Sequence, residues 1–201
     1  MKPKNFTLVA GPNGAGKSSL SNYLSRPNAI IFDPDKEFKK LEEQMPDLPD
    51  ENLYHALDYT LDNFINKALG ERLDFTIESN LRDNKILETV NKFKEHEYVT
   101  SLIFIALGSI EESQKRVTQR IKEQGHAVDS FSIAYNFEYS KKTLFSIIDQ
   151  FDFVLVLESI QDAVNPLLRL LNKKIVLERP ATKWGKILQQ ELKASLLKRD
   201  S

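Results

Sequence analysis

At 201 residues, 41% hydrophobic and 28% charged, the chain is long enough for one globular domain with a sizeable core and too short for two comfortable ones. A formal net charge of −1 gives no electrostatic argument for nucleic acid or an anionic membrane as partner, and the absence of cysteine excludes disulfides, thiolate metal sites and a cysteine nucleophile. His55, His96 and His126 are too scattered for a zinc site, and the N-terminal segment reads as neither signal peptide nor membrane span, so a cytoplasmic protein is expected.

Phe6 to Ala10 reads as a buried strand that opens directly onto Gly11-Pro12-Asn13-Gly14-Ala15-Gly16-Lys17-Ser18-Ser19, the G-x-x-x-x-G-K-S spacing of a phosphate-binding P-loop. The chemistry needs these residues in this order. The glycines let backbone N–H groups turn inward around phosphate oxygens, and the helix that follows adds its positive end. Lys17 can reach the β- and γ-phosphates and the Ser18 hydroxyl can ligate Mg²⁺, so ATP or GTP with Mg²⁺ is the expected ligand.

A helix is predicted from Lys17 to about Ser25, then a short strand over Ala29-Ile30-Ile31-Phe32 that ends at Asp33-Pro34-Asp35. After a loop at 45–50, Leu53, Leu57, Leu61, Phe64, Ile65 and Leu69 recur at helical spacing, with Gly70 as the expected C-cap. Leu73 to Ser79 reads as a strand, Asp83 to Glu95 as a helix, Tyr98 to Leu107 as a strand, and Ser109 to Gln124 as a helix ending at Gly125. Ser130 to Gln150 reads as another helix and Phe153 to Leu157 as a fifth buried strand. The tail holds an apolar run, Ile175-Val176-Leu177, and a last amphipathic helix from about Ala181 to Lys198, in which the lone Trp184 is a packing residue. Strands alternating with helices imply an α/β fold of the P-loop NTPase type, a mainly parallel sheet with helices on both faces in three α/β/α layers. One domain is expected over 1–201, with a C-terminal helical extension at about 181–199.

Several stretches carry a family resemblance over about the first 160 residues. The glycine loop is similar to GPNGAGKST of the zeta-toxin-like P-loop kinases, Ile31-Phe32-Asp33-Pro34-Asp35 resembles their second strand with its D-x-D ending, and Phe75-Thr76-Ile77-Glu78-Ser79-Asn80-Leu81 resembles F-x-x-E-T-T-L. Arg116-Val117-Thr118-Gln119-Arg120 through His126 is similar to R-V-x-x-R-V-x-x-G-G-H. The resemblance implies phosphoryl transfer from ATP to a hydroxyl of a small acceptor, the amino sugar of UDP-N-acetylglucosamine in the best-known members, and it puts an antitoxin protein among the partners. Carried over by position, Asp35 is the base, Glu78 holds the acceptor with Asn80 and Asp33 beside it, and Arg120 with Arg116 clamps the phosphates. These roles also make sense on chemistry alone. A carboxylate beyond a strand next to the P-loop can orient a hydroxyl, and a guanidinium offsets charge on the equatorial oxygens.

The departures matter too. Where the family commonly has arginine in an R-Y pair, this chain reads Asn136-Phe137, which implies a missing clamp and either weak turnover or substitution by Lys141 or Lys142. Structural alternatives stand beside the functional ones. Asp33 and Asp35 fit caps of the helix that follows Pro34, and Arg116 and Arg120, at i, i+4 on one helix face, fit a solvent-facing ion-pair ladder with Glu112 or Glu123. Glu78 also fits a water-coordinating or Mg²⁺-facing carboxylate or the solvated end of its strand, while Glu158, at the end of a strand that imitates a Walker B segment, reads as structural. A transporter-type ATPase is disfavoured because no L-S-G-G-Q signature is present, and a GTPase because Asn91-Lys92-Phe93-Lys94 lacks the acid that reads guanine. A nucleotide-binding module that regulates a partner without chemistry stays open, and Asn136 is its best support.

Overall fold

A computed structural model describes residues 3–122, 128–161 and 163–198. The described residues form a seven-stranded sheet in the order β2-β3-β1-β4-β5-β6-β7. These are β1 (Asn5–Ala10), β2 (Ile30–Phe32), β3 (Phe75–Ser79), β4 (Val99–Ala106), β5 (Phe153–Ile160), β6 (Ala163–Leu171) and β7 (Lys174–Glu178). The first five are parallel, as the alternation of strands and helices requires. The helices are α1 (Lys17–Leu24), α2 (Pro34–Gln44), α3 (Asp50–Gly70), α4 (Ile86–Glu95), α5 (Ile110–Lys122), α6 (Ser130–Ile147) and α7 (Lys183–Leu197). The expected end of the fifth helix at Gly125, and His126, lie outside the described residues.

Strand alternation decides which face each residue serves. Phe6, Leu8, Phe75, Ile77, Leu102 and Phe104 join Phe93 of α4, Leu144 of α6 and Leu188 of α7 in the larger core cluster. Val9, Ile103, Ile105 and Leu157 point the other way and pack with Leu20 of α1. In the register of β1 with β3, Val9 pairs with Glu78 and Ala10 with Ser79, so the carboxylate of Glu78 comes off β3 on the α1 side, level with the start of the P-loop.

Two expectations change. The apolar run at 175–177 is part of β7, and β6, which the sequence did not announce, joins β5 and β7 in an antiparallel meander. Pro166 argues against a strand, yet it sits beside a register shift at Val156/Leu157, where a missing N–H is tolerated. Helix α3 includes Gly70, and Arg72 rather than glycine takes the left-handed conformation at φ 52. There Leu73 N–H donates to the Ala68 carbonyl at 2.9 Å, a Schellman closure. Arg72 is held by its own donation to the His96 carbonyl at 2.8 Å and lies over the Tyr98 ring at 5.5 Å.

Helix α7 is fixed at its start by a buried acid. The fully buried carboxylate of Glu158 accepts from Ala181 N–H at 2.6 Å, Thr182 N–H at 3.1 Å and the Thr182 hydroxyl at 2.6 Å. Gly185 leaves the room, since a Cβ there would drive into that carboxylate. The structural reading of Glu158 therefore holds, and Trp184 packs against the core.

Candidate active site

The loop between β1 and α1 has the conformation its glycines predict. Gly11 (φ 147) donates to the Ser79 carbonyl at 3.2 Å, and a Cβ at Gly11 would collide with the Ile105 carbonyl oxygen. Gly14 (φ 75) lies under α5, where a Cβ would stand 3.0 Å from Arg116 Cβ and 3.2 Å from the Ser113 carbonyl. Both positions need glycine for conformation and for close approach. Ala15 is buried in the smaller core cluster, anchoring the loop to the sheet.

Lys17 Nζ donates to the carbonyls of Gly11 at 2.9 Å and Pro12 at 3.1 Å and to Asn80 Oδ1 at 2.7 Å. Burial pulls this ammonium down from 10.5 to about 8; Asp35, Glu78 and Asp33 oppose the fall and Arg120 adds to it. Asn80 thus reaches the site through Lys17. The turn that presents it is strained: Leu81 is left-handed at φ 53 and held there by its buried side chain and by its N–H to Ser79 Oγ at 2.9 Å.

Ser18 Oγ stands between two acids, 2.7 Å from Glu78 Oε2 and 3.2 Å from Asp33 Oδ2. Glu78, 3% exposed, also accepts from Ser21 Oγ at 2.5 Å. Burial pushes its carboxyl above the ordinary 4.5, the two serine hydrogen bonds pull it back, Asp33 raises it and Lys17 lowers it. Asp33 caps α2, its Oδ1 accepting from Asp35 N–H at 3.1 Å and Lys36 N–H at 3.3 Å, so the capping alternative is realised while Oδ2 faces Ser18. The carboxylate of Lys36's partner is the same Asp33, at 3.1 Å.

A cavity of about 200 Å³ collects these groups: Asn13, Gly14, Gly16, Lys17, Ser18, Ser19, Asp35, Glu78, Arg116 and Arg120 line it. A second, of about 550 Å³, shares Gly14, Gly16, Ser19, Arg116 and Arg120 and extends past Tyr23 of α1 and Gln119 of α5 to Ser159, Gln161 and Val164. Arg116 is tied into the wall between them. It pairs with Glu112 Oε1 at 2.6 Å, as the ion-pair alternative anticipates, and also donates to Ser159 Oγ at 2.7 Å, the Gln161 carbonyl at 2.5 Å and the Gly14 carbonyl at 3.4 Å.

Lys141 and Lys142 do not line the 200 Å³ cavity. Lys141 pairs with Glu191 of α7 at 2.7 Å and Lys142 with Glu138 at 2.6 Å. Asn136 lies buried against the P-loop, donating from Nδ2 to Asn13 Oδ1 at 2.6 Å. Sequence reading missed Ser21, Asn13's link to Asn136, and the Ser159–Gln161 wall. Ser21 alone carried a signal, a small polar residue on the sheet-facing side of α1 where an apolar one is expected.

A family model described as Zeta toxin matches residues 2–163. The chain belongs to the zeta toxin family. Among relatives, an uncharacterized protein of Haemophilus influenzae is 25% identical over 137 residues, covering 65% of this chain and 90% of that one. Among solved structures, that of the PezAT chromosomal toxin-antitoxin system of Streptococcus pneumoniae aligns at TM-score 0.63 and 14% identity, over 98% of this chain and 88% of that chain. The AvrRxo1-ORF1:-ORF2 structure with ATP aligns at TM-score 0.71 and 13% identity over 94% of this chain, which spans only 63% of that neighbour's length. At such identities the likeness is one of fold, and it agrees with a P-loop kinase architecture for this zeta toxin family member. None of the described helices is long and apolar enough to cross a membrane.

Proposed function

We propose that this chain transfers the γ-phosphoryl group of ATP to a hydroxyl of a small acceptor, with a nucleotide sugar such as UDP-N-acetylglucosamine as the first candidate. The observation that carries the reading is the gathering of Lys17, Ser18, Asp35, Glu78, Arg116 and Arg120 on one cavity at the P-loop. The adjoining 550 Å³ cavity falls in the range that holds a nucleoside, and Tyr23 at its rim offers a ring to stack on the base.

In this reading the P-loop amides and Lys17 hold the β- and γ-phosphates, and Arg120 offsets charge on the equatorial oxygens. Asp35 accepts the acceptor's hydroxyl proton as the new P–O bond forms and the bond to the β-phosphate oxygen breaks, leaving ADP. Mg²⁺ would supply charge neutralisation between the phosphates. The donor set fits it: Ser18 Oγ with Glu78 and Asp33 on either side offers oxygens only. Since Glu78 is bound to Ser18 and Ser21, we assign it to the metal side and leave the acceptor to groups around Asp35. An antitoxin is proposed as partner because the PezAT neighbour is a toxin-antitoxin system.

One observation favours a second reading. Asn136, at the place of the family's lid arginine, is turned to Asn13, which suits a nucleotide-binding module without chemistry. A single-turnover incubation with γ-labelled ATP and a panel of nucleotide sugars separates the two. Label passing to a nucleotide sugar, slowed by about 10² to 10⁴ in Asp35→Asn with ATP affinity unchanged, is the expected outcome. Label staying on tightly bound ATP would overturn the transferase and favour the module.

A further inference from the structure

Asn13 is gripped from two helices at once. Asn136 of α6, 4% exposed, donates from Nδ2 to Asn13 Oδ1 at 2.6 Å, and Ser113 of α5 donates from Oγ to the Asn13 main-chain carbonyl at 2.6 Å. Asn13 itself is 4% exposed and lines the cavity that holds Lys17 and Ser18. Among the described residues its Nδ2 donates to no protein group, while Asn136 Oδ1 is buried with no partner. A buried amide oxygen left without a donor is uncommon in folded proteins and asks for a reason.

Amide chemistry supplies one. An asparagine side chain has an accepting end and a donating end, whereas a triphosphate presents acceptors only. Asn13 helps to bind phosphate only with its NH₂ toward the cavity; reversed, it would set a carbonyl oxygen against the anion. The hydrogen bond from Asn136 occupies the accepting end and so fixes the orientation. Asn136 can do this only by giving its own NH₂ to Asn13, which leaves its oxygen stranded.

We propose that Asn136 is a positioning residue that turns the Asn13 amide NH₂ toward the triphosphate, tying α6 to the phosphate-binding loop. The inference rests on the nucleotide-binding reading above. It also gives Asn136 a task other than that of the arginine whose place it takes: it acts on the phosphates through the P-loop, without touching them.

The test is a double-mutant cycle read by calorimetry with Mg²⁺ and three probes, ATP, tripolyphosphate and adenosine. Asn136→Leu, close in size but with no donor, is expected to weaken ATP and tripolyphosphate about tenfold, the scale of one hydrogen bond to a charged group, and to leave adenosine unchanged. Asn13→Ala is expected to lose as much, and the double variant no more than either single one. Equal losses for adenosine, which a loosened helix would cause, or additive losses in the double variant overturn the proposal. Wild-type protein that binds neither ATP nor tripolyphosphate overturns the nucleotide reading and this inference with it, whereas wild-type binding with an unaltered Asn136→Leu overturns this inference alone. Asn136→Ala, which empties the position instead of filling it, reads the same cycle if the leucine variant does not fold.

Discussion

On the P-loop side of the cavity Lys17, Asn13, Ser18 and Glu78 are each bonded to a neighbour, whereas on the other side, where the proposed acceptor would lie, Asp35 is exposed and α2, which carries it, has no buried residue. In the proposed reaction the P-loop side would meet the same triphosphate at every turnover, a task that a stiff wall suits. The α2 side is held by the Asp33 cap and by the Phe38–Tyr54 ring pair with α3 at 4.8 Å, while the Lys40–Glu37 ion pair at 2.6 Å lies within α2 itself. In the proposed reaction, specificity for the acceptor would fall to a helix with no buried residue of its own.

The largest effect should come from the stiff side. Lys17→Ala is expected to lower turnover by at least about 10² to 10³, the scale for one preorganised charge-stabilising group, measured as the single-turnover rate. A near-normal rate would break the contrast at its root. Next, Gly14→Ala places a Cβ against Arg116 at a left-handed φ; it should destabilise the fold by about 1–3 kcal/mol in urea titration and weaken ATP as well.

The pH dependence of stability sharpens the comparison further. Folding raises the Glu78 carboxyl above its ordinary 4.5, so between those two values the native state holds a proton that the unfolded chain has released. Its contribution to stability is complete below 4.5 and is lost as pH rises through the raised value. Glu78→Gln is expected to flatten that part of the profile of urea midpoint against pH, and an unchanged slope would mean that the acid is not the group titrating. Smallest of all, Phe38→Ala on the acceptor side should cost about 0.5–1.5 kcal/mol through the lost ring contact and leave ATP affinity alone. A loss of ATP affinity there would show the two sides to be coupled.

The same division governs what could be read from residues alone. The P-loop was legible because its function is written in spacing, with glycines where a Cβ has no room, and β1, β3, β4 and β5 because buried parallel strands are near-continuous apolar runs. The meander was not, since Pro166 hides β6 and the turn into β7 is made by Asn172 and Lys173 at φ 47 and 66, without glycine. Asn136 and Asn13 are 123 residues apart and carry no shared pattern, so only the fold brings them together. Arg116 was readable as ion-pair partner or phosphate clamp, and it stands where both can be true, paired with Glu112 and lining the cavity.

Glu158 gives the last described helix more weight than its place late in the sequence suggests. Its carboxylate, sealed inside the protein, accepts from two amides and a hydroxyl at the start of α7, and the next residue along β5, Ser159, holds Arg116. Prying α7 loose would leave a buried carboxyl without these three donors and unsettle the strand end that holds Arg116. The tail is thus a rivet through the sheet, and cutting the chain before residue 181 should be felt at the P-loop.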